Sequence, residues 1–447
     1  MKTPICDFLE RYRKTDALRL HMPGHKGVGE SGMEALDLTE IDGADVLYSP
    51  TGIIRESEEN AAWLFGSGKT LYSTEGSSLS VRAMLYLAVL WGREKGRKPI
   101  VLAARNVHRS FVSGAALLDL DVRWLYPEGE GDLLSCPITA EQTERALDGM
   151  DTLPVALYVT SPDYLGNEID VAALAKVCHA RDVLLLVDNA HGAYLGFLKE
   201  SRHPIRLGAD ACCDSAHKTL HALTGAGYLH INKSAPKLFF EQAERAMSLF
   251  ASTSPSYLIL RSLDALNATL AEDYPRKLAA FSEKVEGMKE RLAAQGYTLL
   301  GREPLKLTVR AKAYGYLGTE LADLLSNSGI VCEFSDQDFL TLMLAPEIGE
   351  EGLAHLERAM SEIPPKAPIR ELPPPVPKGE RVLSLREGML TAGKEMPIEE
   401  CEGRILADAA LSCPPAIPIL TCGERITAEA IACFRYYGVE CVRVKEG

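Results

Sequence analysis

Residues 183–193 read Val183-Leu184-Leu185-Leu186-Val187-Asp188-Asn189-Ala190-His191-Gly192-Ala193. The first five are apolar without alternation, the pattern of a strand covered on both faces. Pro99–Ala104 (PIVLAA) and Val155–Thr160 (VALYVT) read the same way, and helix-length stretches at Thr139–Leu147 and Val171–Arg181 separate the runs. Strand–helix–strand repetition predicts a mostly parallel sheet with helices on both faces, an α/β fold. Polar residues follow these strands: His108 beyond the first, Ser161 and Asp163 at the second, Asp188 and His191 at the third. Ligands in open α/β sheets bind beyond the carboxyl ends of the strands. These side chains are therefore the first candidates for a site.

A chain of 447 residues suits two or three domains, and 46% hydrophobic with 25% charged residues is an ordinary globular balance. The formal net charge of -14 argues against nucleic acid or an anionic membrane as partner and mildly favours a cationic small molecule. The first residues, MKTPICDFLERYRKTDALRLHMPG, contain no apolar core of a secretory signal, and no run approaches a membrane span. Eleven cysteines, an odd number without a CxxC pair, read as reduced thiols of a cytoplasmic protein.

Seven prolines between Ile363 and Glu380 preclude helix or central strand and mark a linker. Upstream, Arg276–Gln295 is helix-like and amphipathic. It leads into strand-like Tyr297–Leu300, Leu305–Arg310 and Gly329–Phe334, the pattern of a small α+β domain. The expected organisation is an N-terminal arm (1–35), a large domain (36–270), a small α+β domain (271–362), the linker (363–380) and a C-terminal domain (381–447).

Chemistry concentrates in three places. In Asp214–Leu220 (DSAHKTL) a lysine sits among Ser, His and Thr just after a strand-like segment, where partial burial favours a neutral, nucleophilic amine. A surface lysine in a polar loop would read alike. Thr74-Glu75-Gly76-Ser77-Ser78 precedes the apolar stretch Leu79–Trp91, so hydroxyls and unpaired N–H groups meet at a helix start, a ready phosphate site. An ordinary Ser N-cap would look the same. Asp188, ending a buried strand, needs a cation or donors. A protonated pyridine nitrogen is one such partner and a capping role is the alternative.

His108, in Arg105–Ser110, is either a ring-stacking residue or a polar filler. Gly66-Ser67-Gly68-Lys69-Thr70 resembles the end of a P-loop, but Trp63 stands where the first glycine belongs and Leu71–Ser73 reads as a strand, which excludes nucleotide binding. No metal is expected. Pro23-Gly24 denies His21 and His25 a shared helix, and His217 and His221 have no evident third ligand. No GxSxG elbow is present.

Taken in order, these segments resemble the Orn/Lys/Arg decarboxylase family, pyridoxal-phosphate (PLP) enzymes of the aspartate-aminotransferase fold (fold type I). His21–Gly27 (HMPGHKG) with Leu38–Ile41, the glycine and serines at 76–78, Val187–Gly192, Ser215–Leu220, Ser252–Tyr257, and Pro414–Ile419 with Gly423-Glu424 carry the resemblance over most of the chain. It implies that Lys218 holds PLP as an imine and Asp188 pairs with the pyridine nitrogen. His108 would stack on the ring, with His191 near the imine. Gly76, Ser77, Ser78, Ser215 and His217 would hold the phosphate, and Thr253 would reach the phosphate of a neighbouring subunit in a homodimer or larger assembly. Glu424 would meet the distal cation of a basic amino-acid substrate, which is decarboxylated to its amine.

With HMPGHKG starting at residue 21, the chain looks like the short form of the family, without a receiver-like N-terminal domain. Departures are Gly225 for a usual Gln, Asn189 for a common acidic residue, Glu75 for a frequent Asn, Cys422 for a usual Pro, and an altered loop at Asp163–Gly166. They bear on substrate identity. Because a fold does not fix a reaction, an aminotransferase or other lyase, or a non-catalytic PLP-binding regulator, are the competing readings.

Overall fold

The computed structural model describes the chain apart from residues 16, 129–131, 409–411, 414–415 and 447, and the side chains of 412–413. Pro414 and Pro415 of the resemblance thus lie outside the described residues. Two compact units emerge: residues 1–98 with 171–278, and residues 99–170 with 279–447.

In chain order the strands that matter are β1 (Lys69–Ser73), β2 (Ile100–Ala104), β3 (Asp121–Leu125), β4 (Ala156–Thr160), β5 (Leu184–Asp188), β6 (Ala211–Asp214) and β7 (Gly227–Ile231). The helices are α1 (Pro4–Arg13), α2 (Ile53–Phe65), α3 (Gly76–Glu94), α4 (Arg109–Leu117), α5 (Ala140–Asp148), α6 (Val171–His179) and the single turn α7 (Ala216–Thr219). The three strands and two helices read from apolar runs fall within one or two residues of their expected bounds.

In the first unit β5 and β6 run parallel, with Asp188 opposite Cys213. Strand β7 returns antiparallel to β6, and β1 lies antiparallel on its other side. The connection from β6 to β7 holds only α7, too little for the covered crossover that a parallel neighbour requires. Every residue of β5, β6 and β7 is buried, which explains why Leu184–Val187 shows no polar alternation. Helix α3 buries Leu79, Val81, Met84, Leu85, Leu87 and Ala88 around most of its circumference, so it too reads as apolar on every side. The Lys69–Ser73 strand confirms that no phosphate loop runs into a helix there.

In the second unit β2 lies between β3 and β4, parallel to both. A four-stranded antiparallel sheet follows, built from Leu299–Leu300, Lys306–Arg310, Phe334–Ser335 and Phe339–Met343. The strand expected over Gly329–Phe334 is a correction. Gly329, at φ +76, closes the helix Gly318–Asn327, and Val331 is left 92% exposed. An apolar run without a ladder partner does not become a strand. Phe339–Met343 instead pairs residue for residue with Lys306–Arg310. The proline tract from 363 to 379 contains neither helix nor strand. Beyond it Leu406, Ile419, Ile426, Phe434, Val442 and Val444 form a buried cluster, under the pairing of Gly393–Pro397 with Cys441–Lys445. Among the described residues no helix is long and apolar enough to cross a membrane.

Candidate active site

Four stretches of the first unit converge. The turn α7 starts at Ser215, directly after β6, and puts Lys218 half-buried on its third residue. Lys218 Nζ lies 3.1 Å from His191 Nε2. His191 itself follows β5 by three residues and is buried. Only one proton fits between two such nitrogens, so this pair can hold and pass a proton.

Asp188 closes β5 with 3% exposure. Its Oδ1 accepts the Ala190 N–H at 3.1 Å and the Cys213 thiol at 3.5 Å. Burial and the adjacent Asp188 carboxylate both push the Cys213 thiol far up, so it stays protonated and donates.

The start of α3 forms a second feature. Gly76 has φ +67 and its N–H donates to Gly225 O at 2.7 Å. A Cβ on Gly76 would find only His217 Cε1, at 3.8 Å, whereas one on Gly227 would meet Gly76 C at 2.9 Å and Ser77 N at 3.1 Å. Strand β7 therefore presses against the helix start from one side while the other stays open. Ser215 Oγ donates to Ser77 Oγ at 2.9 Å, and His217 Nδ1 donates to Ala226 O at 2.8 Å. Burial, with Lys218 nearby, lowers the proton affinity of His217. The first-turn N–H groups of a helix have no intrahelical acceptors and carry the positive end of its dipole. Hydroxyls of Ser77, Ser78 and Ser215 thus stand where an anion is welcome.

Thr253 is exposed in a loop whose Ser252 N–H donates to Glu75 Oε1 at 2.7 Å. The departure at Glu75 consequently ties this loop to the start of α3 of its own chain.

Below the strand ends lies a polar cluster that sequence reasoning missed. Asp214, His203 and His230 have no exposure at all, and Asp214 Oδ2 accepts from both imidazoles, at 2.9 and 3.2 Å. Asn189 Nδ2 donates to Asp214 Oδ1 at 2.7 Å. His203 and His230 stand far apart from Asp214 in any local motif, so no spacing signalled them.

In the second unit His108 is the N-cap of α4, its Nδ1 accepting the Ser110 N–H at 3.2 Å. Glu424 is 3% exposed, accepts the Thr421 N–H at 2.6 Å and lies 3.7 Å from Arg105. Arg105 also donates to the Pro418 and Ile419 carbonyls, at 2.9 and 3.0 Å. Asp163 binds its own loop, accepting from the Leu165 and Asn167 N–H groups at 2.9 Å each. Of the histidines considered for metal, His21 Nε2 is 2.6 Å from Tyr12 OH and His25 Nε2 is 3.3 Å from Asp37.

Comparison with known proteins gives a consistent result. The family described as Orn/Lys/Arg decarboxylase, major domain, matches residues 3–299, and the C-terminal domain of the same family matches residues 384–442. Arginine decarboxylase of Bacillus subtilis is 28% identical over 466 residues, spanning 96% of this chain and 92% of that protein. Arginine decarboxylase of Halalkalibacterium halodurans is 28% identical over 469 residues, spanning 97% and 93%. Among solved structures, the lysine decarboxylase of Francisella novicida superposes with a TM-score of 0.80 at 16% identity, over 99% of this chain and 81% of that one. The constitutive lysine decarboxylase of Escherichia coli gives 0.78 at 18%, over 100% and 82%. At these identities the likeness establishes the fold alone: α/β, of fold type I.

Proposed function

Because this chain belongs to the Orn/Lys/Arg decarboxylase family, we propose that it removes carbon dioxide from a basic amino acid and carries PLP on Lys218. The observation that bears most weight is the 3.1 Å approach of Lys218 Nζ to His191 Nε2, on the strand end that Asp188 closes. When bound, PLP supplies an electron-poor ring that accepts the electron pair left on Cα by departing carbon dioxide.

The residues present fit that group. The open side of Gly76, with Ser77, Ser78, Ser215 and His217 around it, suits a phosphate. Asp188 offers a buried carboxylate whose Oδ1 is steadied by Ala190 and Cys213, the partner a protonated ring nitrogen requires. His191 and Lys218 hold the proton that is delivered to Cα after the carboxylate has gone. His108 is the proposed stacking residue, and Thr253 is proposed to reach the phosphate of a neighbouring subunit. Glu424, steadied by Arg105, is proposed for the distal cation of the substrate.

Arginine is the first substrate to test, since relatives matched over nearly their whole length bear that name. We place the enzyme in the cytoplasm as a homodimer or larger assembly. Exposed Leu18, Leu20, Met22 and Val28 in the N-terminal arm support an assembly, being apolar surface that an isolated chain would leave in water. The test is to measure carbon dioxide and amine formed from arginine, lysine and ornithine, with Lys218→Ala as control. Inactivity of the wild type on all three, or a keto-acid product, would overturn the reading.

A further inference from the structure

The buried layer beneath the strand ends has no part in the chemistry above. Among the described residues Asp214 accepts from three side-chain N–H donors: His203 and His230 on Oδ2, Asn189 on Oδ1. Phe65 covers both imidazoles, with ring centroids 5.3 and 4.4 Å away. Two histidines and an aspartate whose ligating atoms lie within 4.8 Å of one another have the composition of a metal site. Their hydrogen bonds speak against an ion. The Ile205 N–H points at His203 Nδ1, 3.4 Å away, so in the neutral ring Nε2 keeps the proton and has no lone pair to give a metal. Both imidazoles also address the same carboxylate oxygen at direct hydrogen-bond distance.

We propose that Asp214, with Asn189, His203 and His230, is a positioning network that locks the strand end bearing Asp188 to the turn bearing Lys218. This rests on the function proposed above. Asn189 follows Asp188 in the chain, and its N–H donates to Cys213 O at 3.0 Å while its amide grips Asp214. Asp214 precedes Ser215, whose carbonyl accepts the Lys218 N–H at 3.1 Å. One buried carboxylate thereby touches both ends whose separation the coenzyme ring would span. Burial alone would raise its proton affinity, yet the two imidazoles hold it well below the usual carboxylate range. A donor is required at 189 and an acceptor at 214. An acidic residue at 189 would set two carboxylates face to face in a dry site, which gives a physical reason for asparagine there.

The experiment is an exchange of the two side chains, read by PLP titration of the apoprotein and by the visible absorption band of the bound coenzyme. Asn189→Asp is expected to weaken PLP binding by about tenfold or more and to shift the band, since like charges in a buried site oppose each other. The double variant Asn189→Asp, Asp214→Asn restores donor and acceptor in reverse order and is expected to recover affinity to within about threefold, as coupled neighbours do. If Asn189→Asp does not fold, recovery of soluble PLP-binding protein in the double variant carries the test. Wild-type PLP affinity in Asn189→Asp, no recovery in the double variant, or one equivalent of metal in purified protein that His230→Gln loses, would each overturn the network. Failure of the wild type itself to be fixed to PLP at Lys218 by borohydride would instead overturn the function, so the two failures are distinguishable.

Discussion

Lys218 Nζ stands 3.1 Å from His191 Nε2, across two segments that are 27 residues apart in the chain. A proton shared between them would serve the proposed reaction, which requires one to be delivered to Cα. His191→Ala should lower kcat by about 10²–10⁴ while borohydride still fixes PLP to Lys218. Unchanged turnover in that variant would remove His191 from the proton path.

Asp188 is expected to act through charge rather than shape. Asp188→Asn keeps the size and the contact to Ala190 and should cost about 10²–10³ in kcat, the scale of losing one preorganised electrostatic partner. Cys213→Ala removes only a thiol donor from Oδ1 and should cost less than about tenfold, since a single hydrogen bond is worth about 1 kcal/mol. Steady-state kinetics of both variants check the ordering.

Gly227→Ala is predicted to harm the proposed phosphate cradle without touching any polar side chain. Its Cβ would come within 2.9 Å of Gly76 C and 3.0 Å of Asp214 O. All these are backbone atoms, so the start of α3 has to move. A loss of about 1–3 kcal/mol in stability together with weaker PLP binding is expected from thermal melts and titration. A fully wild-type PLP affinity would show that the helix start is not the phosphate site.

Stability should also depend on pH through Glu58, whose carboxyl burial raises from 4.5 to about 8 while the Tyr72 N–H donates to it at 2.8 Å. The folded chain keeps the proton where the unfolded chain has lost it. The contribution is therefore whole below pH 4.5 and is lost as pH rises through 8. Glu58→Gln mimics the protonated form, so it should match the wild type near pH 5 and melt higher above pH 8, by about 1–3 kcal/mol. Burial lowers His230 and His217, so their contributions run the other way, present above 6.5 and lost as pH falls below it. Melting temperatures from pH 5 to 9 test both signs.

Much of this protein was legible from local pattern. Unbroken apolar runs marked β2, β4 and β5 because a strand covered on both faces has no polar side to show. Asp188 and Lys218 became candidates because each lies at or just beyond a strand-like segment, and Gly76–Ser78 because it opens an apolar helix. Tertiary structure alone decided the rest. The antiparallel return of β7, the pairing of Phe339–Met343 instead of Gly329–Phe334, and the meeting of His203, His230 and Asn189 on Asp214 all depend on hydrogen bonds between residues distant in sequence. Periodicity reports which face a residue turns inward. Which partner waits there is set only when the strands close on one another.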